Sequence, residues 1–100
     1  MNISMTKTTH PGKRPPADRL CFGSVFTDHM FLMNYTDREG WHNARIVPFG
    51  PISISPAASV LHYGTEVFEG LKAYRRPDGA VQLFRPWENV ARLNRPCDRL

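Results

Sequence analysis

The sequence predicts an α+β fold in which antiparallel strands carry flanking helices. Apolar runs of strand length occur at residues 27–35 and 44–49. Arg76-Pro77-Asp78-Gly79 has hairpin chemistry, because Asp-Gly accepts the positive φ angles that a tight β-turn demands. Pro86 then opens a segment with helical three-and-four spacing. At 100 residues the chain has room for one small domain at most.

Residues 1–20 are expected to be a disordered tail. Lys7, Lys13, Arg14 and Arg19 face Asp18 alone there, and Pro11, Pro15 and Pro16 break any amphipathic helix. This tail supplies most of the formal net charge of +4. Order is expected from residue 21, where Phe22, Val25, Phe26, Met30, Phe31, Leu32, Met33 and Tyr35 crowd together. Residues 27–35 read as a buried strand and residues 34–40 as a turn. An exposed Trp41-His42-Asn43 leads into a second strand at 44–49. Pro48, Gly50, Pro51 and Pro56 then exclude a long helix.

A short helix is expected over 56–66, capped by Ser55, with Pro56 in its first turn and Ala57, Ala58, Val60 and Leu61 on its apolar side. Gly70 ends that regularity. Residues 71–75 and 80–84 form the two arms of the hairpin. The last helix begins at Pro86 and turns Trp87, Val90, Ala91 and Asn94 inward.

Several kinds of chemistry are excluded or disfavoured. Arg85, Arg92, Arg95 and Arg99 cluster near the end, but no nucleic-acid motif accompanies them, and a solvated helix flank is the simpler reading. His10, His29, His42 and His62 are scattered, so no metal site is expected. Cys21 and Cys97 form no CxxC or zinc pattern, which points to a reducing, cytoplasmic setting. No apolar run approaches membrane-spanning length. There is no GxSxG elbow, Glu66 and Glu69 read as a partly exposed pair, and Lys72 reads as a solvent-exposed lysine on the hairpin.

Four blocks nevertheless occur together and in order: FGSVFTDHM at 22–30, GWHNARIVP at 40–48, LHYGTEVFEGLKAYR at 61–75 and LFRPWEN at 83–89. Together they make residues 22–100 similar to the start of the branched-chain amino acid aminotransferases, pyridoxal-phosphate enzymes of fold type IV. The resemblance implies a small N-terminal α/β domain and a larger C-terminal domain with pyridoxal 5'-phosphate between them, working as a homodimer. It implies amino-group exchange between leucine, isoleucine or valine and 2-oxoglutarate. Residues 21–100 would then be the N-terminal part of the small domain.

By the same resemblance, Phe22, Tyr63 and Phe68 line the pocket for the branched side chain, and Arg92 holds the cofactor phosphate. The residue types suit those roles. Aromatic rings make a rigid apolar wall, Gly64 and Gly70 permit close backbone approach, and an arginine roughly 140° around the helix from Trp87 is free to fork onto phosphate. No catalytic residue is expected within the chain, because the Schiff-base lysine and the acidic partner of the pyridine nitrogen belong to the large domain. The 100 residues alone are therefore expected to be inactive.

Pro96 departs from the resemblance and is expected to kink the helix at Arg92. Other members of the fold, a D-amino acid aminotransferase or an aminodeoxychorismate lyase, are alternatives. From a different class, so is a non-catalytic short protein that binds a partner protomer through Trp87, Val90 and Leu93.

Overall fold

The computed structural model describes residues 2–100 in two compact units, one ending at Ile52 and the other spanning Ser53–Leu100. The first unit is a three-stranded sheet in the order β1-β3-β2, built from β1 (Ser4–Met5), β2 (His29–Thr36) and β3 (Gly40–Pro48). β2 and β3 run antiparallel, from His29 opposite Pro48 to Thr36 opposite Gly40.

The turn between them is closed by Thr36, whose Oγ1 accepts from the Glu39 N–H at 3.2 Å, and by Gly40 at φ 64°. The ladder is irregular between Leu32 and Asn34. Asn43, at φ 55°, absorbs the distortion, since asparagine tolerates the left-handed region better than most residues. Arg45 Nη1 ties the irregularity together, donating to Asn34 Oδ1 at 2.7 Å and to the Asn43 carbonyl at 2.9 Å.

Both predicted strands are present, with two corrections. β3 starts at Gly40, so Trp41, His42 and Asn43 belong to it. Trp41 meets its cross-strand partner Tyr35 edge-on at 5.2 Å. β2 is not a buried strand: Met30, Leu32 and Met33 are half-buried while Phe31 and Tyr35 are exposed, because no second layer covers either face of this small sheet within its unit.

The segment expected to be a disordered tail makes specific contacts. β1 pairs in parallel with Arg45 and Ile46, and the Thr6 N–H donates to the Ile46 carbonyl at 2.9 Å. The Thr8 N–H donates to His29 Nε2 at 2.9 Å, and the Gly12 N–H to Asp28 Oδ1 at 3.0 Å. Backbone groups exposed along the free edge of β3 attract any neighbouring extended chain, whatever its composition.

In the second unit, α1 (Ser59–Tyr63) is shorter than expected. Ser55 does not cap it. Its Oγ accepts from the Ala57 N–H and its carbonyl from the Ala58 N–H, closing a separate turn that contains Pro56. Ala58 is the N-cap, and Gly64, left-handed at φ 58°, terminates the helix. Leu61 and Val60 are exposed, so the expected apolar side packs on nothing in this unit.

The hairpin forms as β4 (Ala73–Arg75) and β5 (Val81–Leu83), shorter at both outer ends than expected. Arg76 and Ala80 close its turn, with Gly79 at φ 85°. α2 (Pro86–Asn94) begins at Pro86 as predicted, but its inward face is different. Pro86, Asn89 and Leu93 are half-buried, whereas Trp87 and Val90 are exposed. The polar contacts of Asn89 and Arg92, described below, set this rotation.

The predicted α+β class therefore holds: two antiparallel strand pairs and two α-helices are present among the described residues. Burial is sparse. Ala44, at 4% exposure, is the one buried hydrophobic residue among those described.

Candidate anion-binding site

The second unit holds a cluster of polar side chains around Glu69. Leaving β4 aside, the chain between α1 and the hairpin carries Phe68, Glu69 and Gly70, and α2 presents Asn89 and Arg92 to them. These two are three residues apart and so share a helix face. Arg92 grips the Glu69 carboxylate with two donors: Nε donates to Oε2 at 2.6 Å, and Nη2 donates to Oε1. Asn89 Nδ2 donates to the Gly70 carbonyl at 2.9 Å and to Glu69 Oε1 at 3.3 Å. The Gly70 N–H adds a bond to Oε1 at 2.9 Å.

This donor set stabilises the ionised carboxylate. Chiefly through the Arg92 hydrogen bonds, the Glu69 pKa is lowered from 4.5 to about 2, desolvation opposing the shift; the Arg92 pKa is raised by the same pair. Glu69 is largely enclosed, its side chain 11% exposed, while that of Arg92 remains 64% exposed.

Around this pair lies an open cavity of about 480 Å³. Arg92, Arg95 and Arg99 line it together with Phe68, Pro96 and Glu69, the one acidic residue on its wall. Arg92 spends two of its five N–H donors on Glu69, so three remain. The α2 C-terminus itself disfavours an anion, and attraction here must come from the arginines. Gly70 has no atom within 4 Å of where a Cβ would stand, so the wall is open beside it.

Pro96 does not kink α2. The α-helix ends at Asn94, and Arg95–Arg99 continues as a 3-10 helix. A proline at 96 lacks the N–H that the Arg92 carbonyl would accept, so α-helical winding stops at Asn94 and the tighter helix follows. Arg95 and Arg99 border the same cavity as Arg92.

Of the residues predicted for a site, Phe68 and Arg92 are brought together. Tyr63 and Phe68 are 87% and 91% exposed, and Phe22, in the first unit, is fully exposed, so none is packed by its own chain. Glu69 was read as half of an exposed carboxylate pair with Glu66. α1 stops at Tyr63, before either, and Glu69 turns to Arg92 instead. Asn89 was not singled out, and Arg95 was read only as part of a solvated helix flank. The signal available in the sequence was the i, i+3 spacing of Asn89 and Arg92, which gives a single carboxylate two donors from one helix face.

Lys72 is exposed, as expected for a hairpin lysine. Three histidines have structural partners: His29 accepts from Thr8, the Nδ1 of His42 lies 2.8 Å from the Gly40 carbonyl oxygen, and the Nε2 of His62 lies 2.6 Å from that of Pro56. No helix among the described residues is long and apolar enough to cross a membrane.

No family model matches the chain. Its similarity to individual proteins is with aminotransferases of amino acids. More particularly, it matches branched-chain-amino-acid transaminase 1 of Bacillus subtilis at 51% identity over 98 residues, 98% of this chain and 28% of that protein. The branched-chain-amino-acid aminotransferase of Mycolicibacterium smegmatis is 57% identical over 79 residues, 79% of this chain and 22% of that protein. The mitochondrial branched-chain-amino-acid aminotransferase of Saccharomyces cerevisiae is 43% identical over 98 residues, 98% of this chain and 25% of that protein. The resemblance carried by the four ordered blocks is thus shown across nearly the whole chain, which matches the N-terminal portion of these relatives. The chain spans about a quarter of their length.

Proposed function

We propose that this chain is the N-terminal part of a pyridoxal-phosphate-dependent branched-chain aminotransferase, within its small domain, and that the complete protein exchanges amino groups between leucine, isoleucine or valine and 2-oxoglutarate. The observation that carries this reading is 51% identity over 98% of the chain with a protein named for that reaction. The cavity supports it independently of the name: three arginines and one glutamate among its lining residues suit an anionic group such as a phosphate ester.

In this reading Arg92 holds the cofactor phosphate through the donors that Glu69 leaves free. Phe68, on the same cavity, offers an apolar face to a branched side chain, with Tyr63 and Phe22 completing that wall in the assembled enzyme. Their exposure accords with the role, since each needs a substrate or another part of the protein to cover it. When bound, pyridoxal 5'-phosphate supplies the electron sink that acidifies the substrate α-carbon. The lysine that anchors it and the carboxylate that partners its ring nitrogen are supplied by the rest of the protein. A homodimer is the working unit. A cytoplasmic setting is supported by Cys21 and Cys97, both free and exposed.

The complete polypeptide carrying this sequence is expected to convert 2-oxoglutarate to glutamate when given L-leucine, with D-alanine neither serving as donor nor competing. Transfer from D-alanine in place of leucine would assign it to another branch of the fold. No transfer from either would sink the reading.

A further inference from the structure

The Glu69–Arg92 pair is built more completely than an ion pair on a protein surface requires. Exposed pairs are ordinarily single contacts between mobile side chains. Here the carboxylate is enclosed and takes donors from Arg92, Asn89 and the Gly70 backbone. Asn89 is in turn anchored on the Gly70 carbonyl. The guanidinium is held along its Nε–Nη2 edge, which fixes its plane, and the rest of the fork faces the open cavity that Arg95 and Arg99 share. A planar fork fixed in advance loses less entropy when it captures an anion than a freely rotating one.

We propose that Glu69 is a positioning residue: supported by Asn89, it sets the orientation in which Arg92 receives an anionic group in this cavity. The inference rests on the reading of Arg92 as the holder of the cofactor phosphate. Glu69 does not itself touch that group. Its effect is to hold the binding edge of the arginine toward the cavity.

The test uses the complete polypeptide freed of cofactor, titrated with pyridoxal 5'-phosphate and with pyridoxal, which lacks the phosphate, and followed by the absorbance of the bound aldehyde. Wild type should prefer the phosphorylated form. Glu69→Ala should reduce that preference about tenfold, the effect of one well-placed charge-assisted hydrogen bond, with pyridoxal affinity unchanged. Glu69→Gln, which keeps one acceptor oxygen and the same shape, should recover part of the loss. It also carries the test if far-UV circular dichroism shows that Glu69→Ala does not fold.

An equal loss for both aldehydes would show a merely structural role and overturn the proposal. So would an unchanged preference, or an increased one, which would make the carboxylate a competitor of the phosphate. If Arg92→Ala leaves the preference intact, the phosphate assignment itself fails. A preference lost in Arg92→Ala but kept in Glu69→Ala rejects only the positioning role.

Discussion

Expressed alone, the 100-residue chain is expected to show no cooperative thermal transition, to bind hydrophobic dyes and to associate. The reason is an unfilled core. Ala44 is the one buried hydrophobic residue among those described, whereas the net stability of a domain, about 5–15 kcal/mol, rests on extensive apolar burial.

The residues left uncovered are large: Phe22, Phe26, Tyr63, Phe68, Phe84, Trp87 and Val90 are all exposed. Local structure survives this lack because the β2–β3 ladder, the hairpin and α2 are held by backbone bonds within short spans. Calorimetry and sizing of the isolated chain check the expectation. A sharp transition from a clean monomer would mean that these elements pack far better than their exposure indicates.

In the complete polypeptide, Arg92→Ala is expected to lower pyridoxal 5'-phosphate affinity about a hundredfold, as expected for the loss of two charge-assisted hydrogen bonds to phosphate. Equilibrium dialysis against the cofactor measures it, and a change of less than about threefold would contradict the role. The substitution also has a pH signature. Glu69 is depressed from 4.5 to about 2 mainly by Arg92, so its pairing contributes stability that is present above pH 4.5 and lost as pH falls from there toward 2. Removing Arg92 should flatten that acid-side decline. Arg95 and Arg99 remain on the cavity wall, so some affinity for the cofactor should persist.

Most elements were legible in the sequence because they depend on local chemistry. Asp78-Gly79 specifies the hairpin turn wherever it occurs, and Pro86 starts α2 because a first-turn proline forfeits no helical bond. What was not legible depends on contacts distant in sequence. Composition around Ser4–Met5 gives no hint that the free edge of β3 recruits it. The apolar spacing of Trp87, Val90 and Ala91 is real, yet within its own unit α2 turns Asn89 and Leu93 inward instead.

The candidate site divides in the same way. Arg92 was reached through the family resemblance, and it stands on a cavity wall. Glu69 was visible as a charged residue, but its partner lies 23 positions away and nothing in the spacing joins them. Pro96, which looked like a kink, instead falls where the winding changes from α to 3-10, on the same cavity wall as Arg95 and Arg99. A proline's effect on the following turn is set by which helix the next residues can still form, and a sequence pattern does not state that.

The most direct measurement is the intact mass of the polypeptide in its native source, captured with an antibody against residues 27–40. The proposed function requires a species several-fold heavier than 11.4 kDa, large enough to include the anchoring lysine and a second domain. A single species at 11.4 kDa would contradict it, leaving a short protein with Arg92 and Glu69 but without the groups that make transamination possible.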